Sequence, residues 1–214
     1  MVQFRELSLN YRWESYARNI FTDLDLCVPR GSFVSITGSN GSGKSSFLKL
    51  IMGLTTPGAG EVIIDGQLLQ HGYASSMKDK KVAYLAQRIE NLFFGDTVDQ
   101  ELGYNESVDP ARIDYLLDRL ASKELKDREI ATLSGGERQA IALVQFLSST
   151  APLLVLDEPS SYLDRSAAQV LREELESLHR SDRTIIHATQ FMSEVGWGDH
   201  HLDLDSKEIE LVRV

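Results

Sequence analysis

An α/β fold built on a largely parallel central sheet is what this sequence predicts, and three observations predict it. Apolar β-type runs alternate with helical patterns along most of the chain. One run, Pro152 to Asp157, is apolar almost without interruption, as a parallel strand buried on both faces requires. A glycine-rich turn, Gly38 to Gly43, stands between a strand pattern and a helix pattern. The 214 residues, 42 % hydrophobic and 25 % charged, suffice for a full core in one α/β domain.

In chain order, Phe33–Thr37 reads as a strand, and Lys44 to about Met52 as a helix whose Phe47, Leu48, Leu50 and Ile51 share a face. Glu61–Gly66 reads as a strand closing on a turn, and Lys81–Ala86 as a short strand. Helices are expected at Val98–Tyr104, at Pro110–Ala121 behind the cap Asp109, and at Gly135–Ser148. After the strand Pro152–Asp157 come a helix over Ser166–His179 and a buried strand over Thr184–Ala188. Residues from about 88 to 148 read as a helical subdomain hung from a core made of about 1–87 and 149–214.

No apolar run approaches the roughly 18 residues needed to cross a bilayer, and the first residues lack the basic-then-apolar pattern of a signal peptide. The formal charge of −10 argues against general nucleic-acid binding. Cys27, the single cysteine, has no internal disulfide partner and is read as a small core residue.

"GSNGSGKSS", Gly38 to Ser46, matches the phosphate-loop pattern in its required setting, after a strand and opening a helix. Glycines at 38, 41 and 43 let the backbone around Ser39, Asn40 and Ser42 turn its N–H groups toward an anion. The helix start adds its positive dipole end. Lys44 supplies a compact charge for β- and γ-phosphates, and Ser45 a hydroxyl for Mg²⁺, with Ser46 beside it. In "LLVLDEPSSYLD", Asp157 ends the buried strand, where an open parallel sheet places its ligand and a carboxylate can hold Mg²⁺. Glu158 follows as the candidate general base for an attacking water.

"LSGGERQ", Leu133 to Gln139, makes the chain resemble the ABC-type ATPases, P-loop NTPases with an antiparallel β region near the N-terminus and a helical subdomain. Ser134, Gly135, Gly136 and Glu137 then match the signature, which in that family closes on ATP held by a second subunit, head to tail. The resemblance implies that Tyr11, with Tyr16 as its rival, stacks on adenine. It implies that Gln87 senses Mg²⁺ and that Ser161–Asp164 contacts the partner subunit, though Asp164 is also placed to cap the next helix. It implies a histidine at the position of Gln190. Glutamine can donate a hydrogen bond to the γ-phosphate but carries no charge, so slow hydrolysis is expected. His187 is read as a structural residue inside its strand. Ala140 also departs from the family, which commonly has arginine there.

"QRIENLFFGDTVDQELGY", Gln87 to Tyr104, is similar to the ATPases of energy-coupling-factor importers of vitamins and metal ions, through Leu92-Phe93-Phe94 and Thr97-Val98-x-x-Glu101. The resemblance implies ATP and Mg²⁺ as cofactors, transmembrane transporter subunits and a second ABC ATPase as partners, and a peripheral place on the cytoplasmic face of the membrane. A soluble ABC ATPase of DNA repair or translation, and a slow subunit paired with a more active paralogue, remain open.

Overall fold

Strands of this chain differ in burial, and those buried at every position stand together in the middle of one of two sheets. A computed structural model describes residues 1–13, 16–69, 81–87, 89, 93–104, 108–121, 123–206 and 208–211. Three short strands, β3 (Phe33–Thr37), β7 (Leu153–Asp157) and β8 (Thr184–Ala188), are buried at every position. They lie side by side in parallel with β6 (Val82–Leu85) and β9 (His200–Asp203), while β10 (Glu208–Leu211) adds an antiparallel edge. The order β10-β9-β3-β8-β7-β6 is that of an open sheet with crossover connections.

The longer strands β1 (Val2–Trp13) and β2 (Tyr16–Val28) form an antiparallel sheet with β4 (Ala59–Ile64) and β5 (Gln67–Leu68), in the order β2-β1-β4-β5. Alternation governs here. Leu24 and Val28 point into the core, and Cys27, paired opposite Gln3, points out. Cys27 is therefore exposed, against the expectation of a core residue. β4 begins and ends two residues earlier than expected. The successive left-handed residues Asp65 (φ 50°) and Gly66 (φ 76°) turn the chain into β5, as a tight hairpin requires.

Helix α1 (Lys44–Ile51) buries Phe47, Leu48, Leu50 and Ile51 between the two sheets. There Phe47 stacks on Phe4 with ring centroids 4.5 Å apart. A second apolar cluster covers the other face of the parallel sheet. It joins α2 (Val98–Gly103), α3 (Pro110–Leu120), α4 (Gly135–Leu147) and α5 (Arg165–Arg180) through Val98, Leu116, Leu143 and Leu171. Asp109 caps α3 by accepting the Ala111 N–H at 2.9 Å, and Asp164 caps α5 by accepting that of Ala167 at 2.8 Å. Buried Glu174 of α5 accepts from Arg112, Tyr115 and Arg119 of α3, and so ties the helical layer to the core.

Candidate active site

The loop after β3 owes its shape to its glycines. Gly38, Gly41 and Gly43 have φ of 150°, 87° and 109°. A Cβ on Gly43 would stand 2.6 Å from Ile20 and 2.9 Å from the Phe21 ring, so only glycine fits against β2. Gly43 is also the N-cap of α1, which starts with no side-chain cap. Lys44 is buried, and its Nζ donates to the carbonyls of Gly38 (2.7 Å) and Ser39 (3.4 Å). The Ser42 hydroxyl is buried without a hydrogen-bond partner among the described residues. Outside the loop, Ser39 donates its N–H and its hydroxyl to Asp205 (2.7 and 2.9 Å).

One hollow is lined by Tyr11, Arg18, Asn40, Gly41, Gly43, Lys44, Ser45, Ser46, Gln87 and Glu158. The Tyr11 hydroxyl donates to Ser46 Oγ at 3.3 Å, which sets the ring on the wall of this hollow. The side chain of its rival Tyr16 lies outside the described residues. Arg18, which the sequence reading passed over, donates to the Gly41 carbonyl at 2.8 Å. Its signal is the strand register: β1 pairs with β2 so that Arg18 stands opposite Tyr11.

The acidic side is built by the ends of β7 and β8. Asp157 is buried, and burial pushes its carboxyl above the usual range against a hydrogen bond from Ser45. Glu158 has φ 49°, an uncommon conformation for a residue with a side chain, and its N–H donates to the Ala188 carbonyl at 2.9 Å. That turn aims the carboxylate at Gln87, whose Nε2 donates to Oε2 at 2.8 Å. Gln190 is exposed just past β8 and lines an adjoining hollow with Gly38, Ser39, Asn40 and Thr189. His187 is wholly buried within β8.

The residues fit a Mg²⁺ ion. Asp157 and Ser45 bring two hard oxygen donors together, and the buried carboxylate is matched only in part by its neighbours. Among the described residues there is no cluster of three or more His, Cys, Asp or Glu to hold a metal ion. A cation at Asp157 would therefore also need oxygens from a phosphate.

The signature stands apart from this hollow within the chain. Ser134 is the N-cap of α4, accepting the Glu137 N–H at 3.3 Å while the Glu137 carboxylate accepts the Ser134 N–H at 2.7 Å. Arg128 holds the other carboxylate oxygen at 3.0 Å. Ser134, Gly135 and Gly136 are exposed, and Gly136 and Glu137 line a separate hollow with Tyr162 and Asp164. Phe94 is exposed before α2 and Phe93 is half-buried, while Leu92 lies outside the described residues.

A glycine-shaped anion cradle with a buried lysine, beside paired acids at the ends of parallel strands, defines a P-loop nucleoside triphosphatase. Residues 21–161 match the family model described as ABC transporter, and the chain belongs to that family as an ABC-type ATPase subunit. It is similar to the energy-coupling factor transporter ATP-binding protein EcfA1 of Mycoplasmopsis pulmonis, 31 % identical over 210 residues covering 94 % of this chain and 78 % of the relative. Its fold is that of a dimeric ATP-binding cassette in a post-hydrolysis state bound to ADP and Pi (TM-score 0.85, 23 % identity, 100 % of both chains). It is also that of cbiO1 from Clostridium perfringens, part of the ABC transporter complex cbiONQ (TM-score 0.75, 24 % identity, 98 % of this chain and 86 % of the other).

Proposed function

We propose that this chain powers import of a vitamin or metal ion by closing head to tail with a second ABC ATPase subunit on two ATP molecules, at the cytoplasmic face of a membrane. The observation that carries the reading is the separation of two half-sites in one chain. Tyr11, Lys44, Gln87 and Glu158 share one hollow, and the exposed helix start at Ser134–Gly136 lies outside it. A second subunit brings its own signature to the first subunit's phosphate loop. The relative's name, energy-coupling factor transporter, and the cbiONQ complex support import with membrane partners. No helix among the described residues is long and apolar enough to cross a membrane, which fits a peripheral subunit. The groove lined by Phe93, Gly95, Thr97 and Arg138 is the surface we assign to the membrane subunits.

In this reading Tyr11 stacks on adenine. Asn40 to Ser46 turn their N–H groups to the phosphates while the Ser39 N–H stays on Asp205, and Lys44 leaves the Gly38 carbonyl to meet the β- and γ-phosphates. Ser45 and Asp157, with Gln87 beside them, would hold Mg²⁺, which when bound supplies positive charge at the phosphate oxygens. Glu158 takes a proton from the attacking water, oriented by Gln87. The Gln190 amide donates to the γ-phosphate without adding charge. For that reason this site is the slower one if the partner is a paralogue.

Glu158→Gln tests the reading. The variant keeps shape and binding but lacks the proton acceptor, so it should run at doubled mass on a sizing column with ATP and not with ADP. Wild-type turnover would place the base elsewhere. Purification from membranes with partners attached identifies the cargo system; a chain that never copurifies with membrane proteins favours a soluble role in DNA repair or translation.

A further inference from the structure

Beneath Gln190 lies a buried polar cluster that the mechanism above does not use. His187 is 0 % exposed, its ring stacked on Trp197 (5.2 Å, 14°) and edge-on to Phe33 (6.3 Å). Its Nε2 stands 3.3 Å from Oε2 of Glu194 outside hydrogen-bond geometry, and its Nδ1 is buried with no hydrogen-bond partner among the described residues. Glu194 sits in the short turn Met192–Trp197 and is itself buried. The same Oε2 accepts the Thr189 hydroxyl at 2.6 Å, while the buried Ser160 hydroxyl, on the loop that carries Glu158, lies nearby without making a hydrogen bond. Thr189 Oγ1 in turn accepts the Phe191 N–H at 3.0 Å, so one hydroxyl grips the chain on both sides of Gln190. The Glu194 carbonyl accepts from Ser35 of β3 at 3.4 Å.

Burial pushes the Glu194 carboxyl up, but the neighbouring His187, Ser160 and Thr189 outweigh it and hold the group below the usual range. A buried carboxylate that accepts a hydroxyl from a neighbouring turn holds that turn in place, because losing the donor leaves the charge less compensated. That donor, Thr189, directly precedes Gln190. An amide carries no charge, so its grip on a phosphate depends on direction.

We propose that Glu194 is a positioning residue that fixes the turn carrying Gln190, with His187 as its buried counter-group. The proposal rests on the reading of Glu158 and Gln190 as the hydrolytic pair. Displacing Gln190 by a fraction of an ångström affects turnover far more than ATP binding, which the phosphate loop carries.

The test uses the purified full-length chain at saturating Mg-ATP, with Glu158→Gln as the blank. Glu194→Gln and Thr189→Val should each lower kcat about tenfold with the ATP KM changed less than about twofold, and Thr189→Ser, which restores the hydroxyl, should keep the parental rate. In a Gln190→Ala background, Glu194→Gln should cost nothing further, since the group it positions is gone. Parental kcat in Glu194→Gln, a loss in KM alone, or multiplied losses in the double variant would overturn the proposal. Lys44→Ala, assayed in parallel for binding of a fluorescent ATP analogue, separates the two levels. Unchanged binding there removes the nucleotide reading itself. Weakened binding there beside a parental Glu194→Gln removes the positioning role alone.

Discussion

The molecule has two helix N-termini suited to anions, and they are built in opposite ways. α1 begins on Gly43, which has no side chain to cap it, and Lys44 follows immediately, buried and donating to its own loop. α4 begins on Ser134 inside a complete capping box, with Glu137 folded back on the Ser134 N–H and Arg128 behind it. The first terminus is shaped by tight packing: a Cβ at Gly43 collides with Ile20 and Phe21. The second meets no such limit, for a Cβ on Gly136 has nothing within 4 Å among the described residues. The difference teaches that Gly43 is required by the packing of its own chain, whereas no packing among the described residues requires Gly136. In the function proposed above, the first terminus holds this chain's nucleotide and the second meets that of the partner subunit.

The same substitution at both places puts that contrast to its hardest test. Gly43→Ala forces a side chain into a left-handed position, at a cost of about 1–3 kcal/mol before the clash is counted. Nucleotide binding should fall below detection and the thermal midpoint should drop. Gly136→Ala should leave the midpoint unchanged or raise stability by up to about 1 kcal/mol, since alanine is the better helix former. ATP binding by the isolated chain should be unaffected, while the ATP-dependent dimer of the Glu158→Gln background should weaken. Equal behaviour of the two variants, by calorimetry and sizing, would erase the distinction.

Lys44→Ala sharpens it next. Losing a charge-assisted contact worth about 1.5–3 kcal/mol should lower ATP affinity roughly ten- to a hundredfold in a fluorescent-analogue titration. Unchanged affinity would mean that α1 is not the anion terminus.

Asp157→Asn follows. Burial raises the Asp157 pKa above its ordinary 3.8. Between the ordinary and the raised value the unfolded chain gives up its proton first, so this group's contribution to stability falls as pH rises through that window. At neutral pH the nucleotide-free Asn variant should resist urea better than the parent, and the gap should close as the pH is lowered. Mg-dependent ATP affinity should fall at the same time. A variant no more stable than its parent at neutral pH would mean that the carboxylate is not strained by burial.

Gln190→His is the smallest expected effect. A chargeable donor at the γ-phosphate should raise kcat at least a few-fold with little change in ATP affinity. The pocket around an amide limits the gain. A rate at or below the parent, with any partner ATPase inactivated at its own base, would mean that Gln190 is a working replacement or that closure limits the cycle.

The chain's local sequence was enough to locate the parallel strands β3, β6, β7 and β8, α1 and the caps, because each depends on neighbours a few residues away; β9 was not expected. β8 matched its expected bounds, and the continuous apolar stretch around 153–157 became a strand buried at every position. Asp109 and Asp164 cap the helices that follow them. The glycine spacing of the phosphate loop and the adjacent acids at 157 and 158 were legible for the same reason. Pairing across long separations was not. Cys27 faces out because β2 pairs with β1, and Arg18 reaches the nucleotide hollow because that pairing sets it opposite Tyr11. Tertiary structure alone decided that Arg128 backs Glu137 and that Glu194 joins His187 and Thr189. A sequence shows which groups are able to bond. Which of them a buried carboxylate meets is settled only when the strands and turns that carry them are packed together.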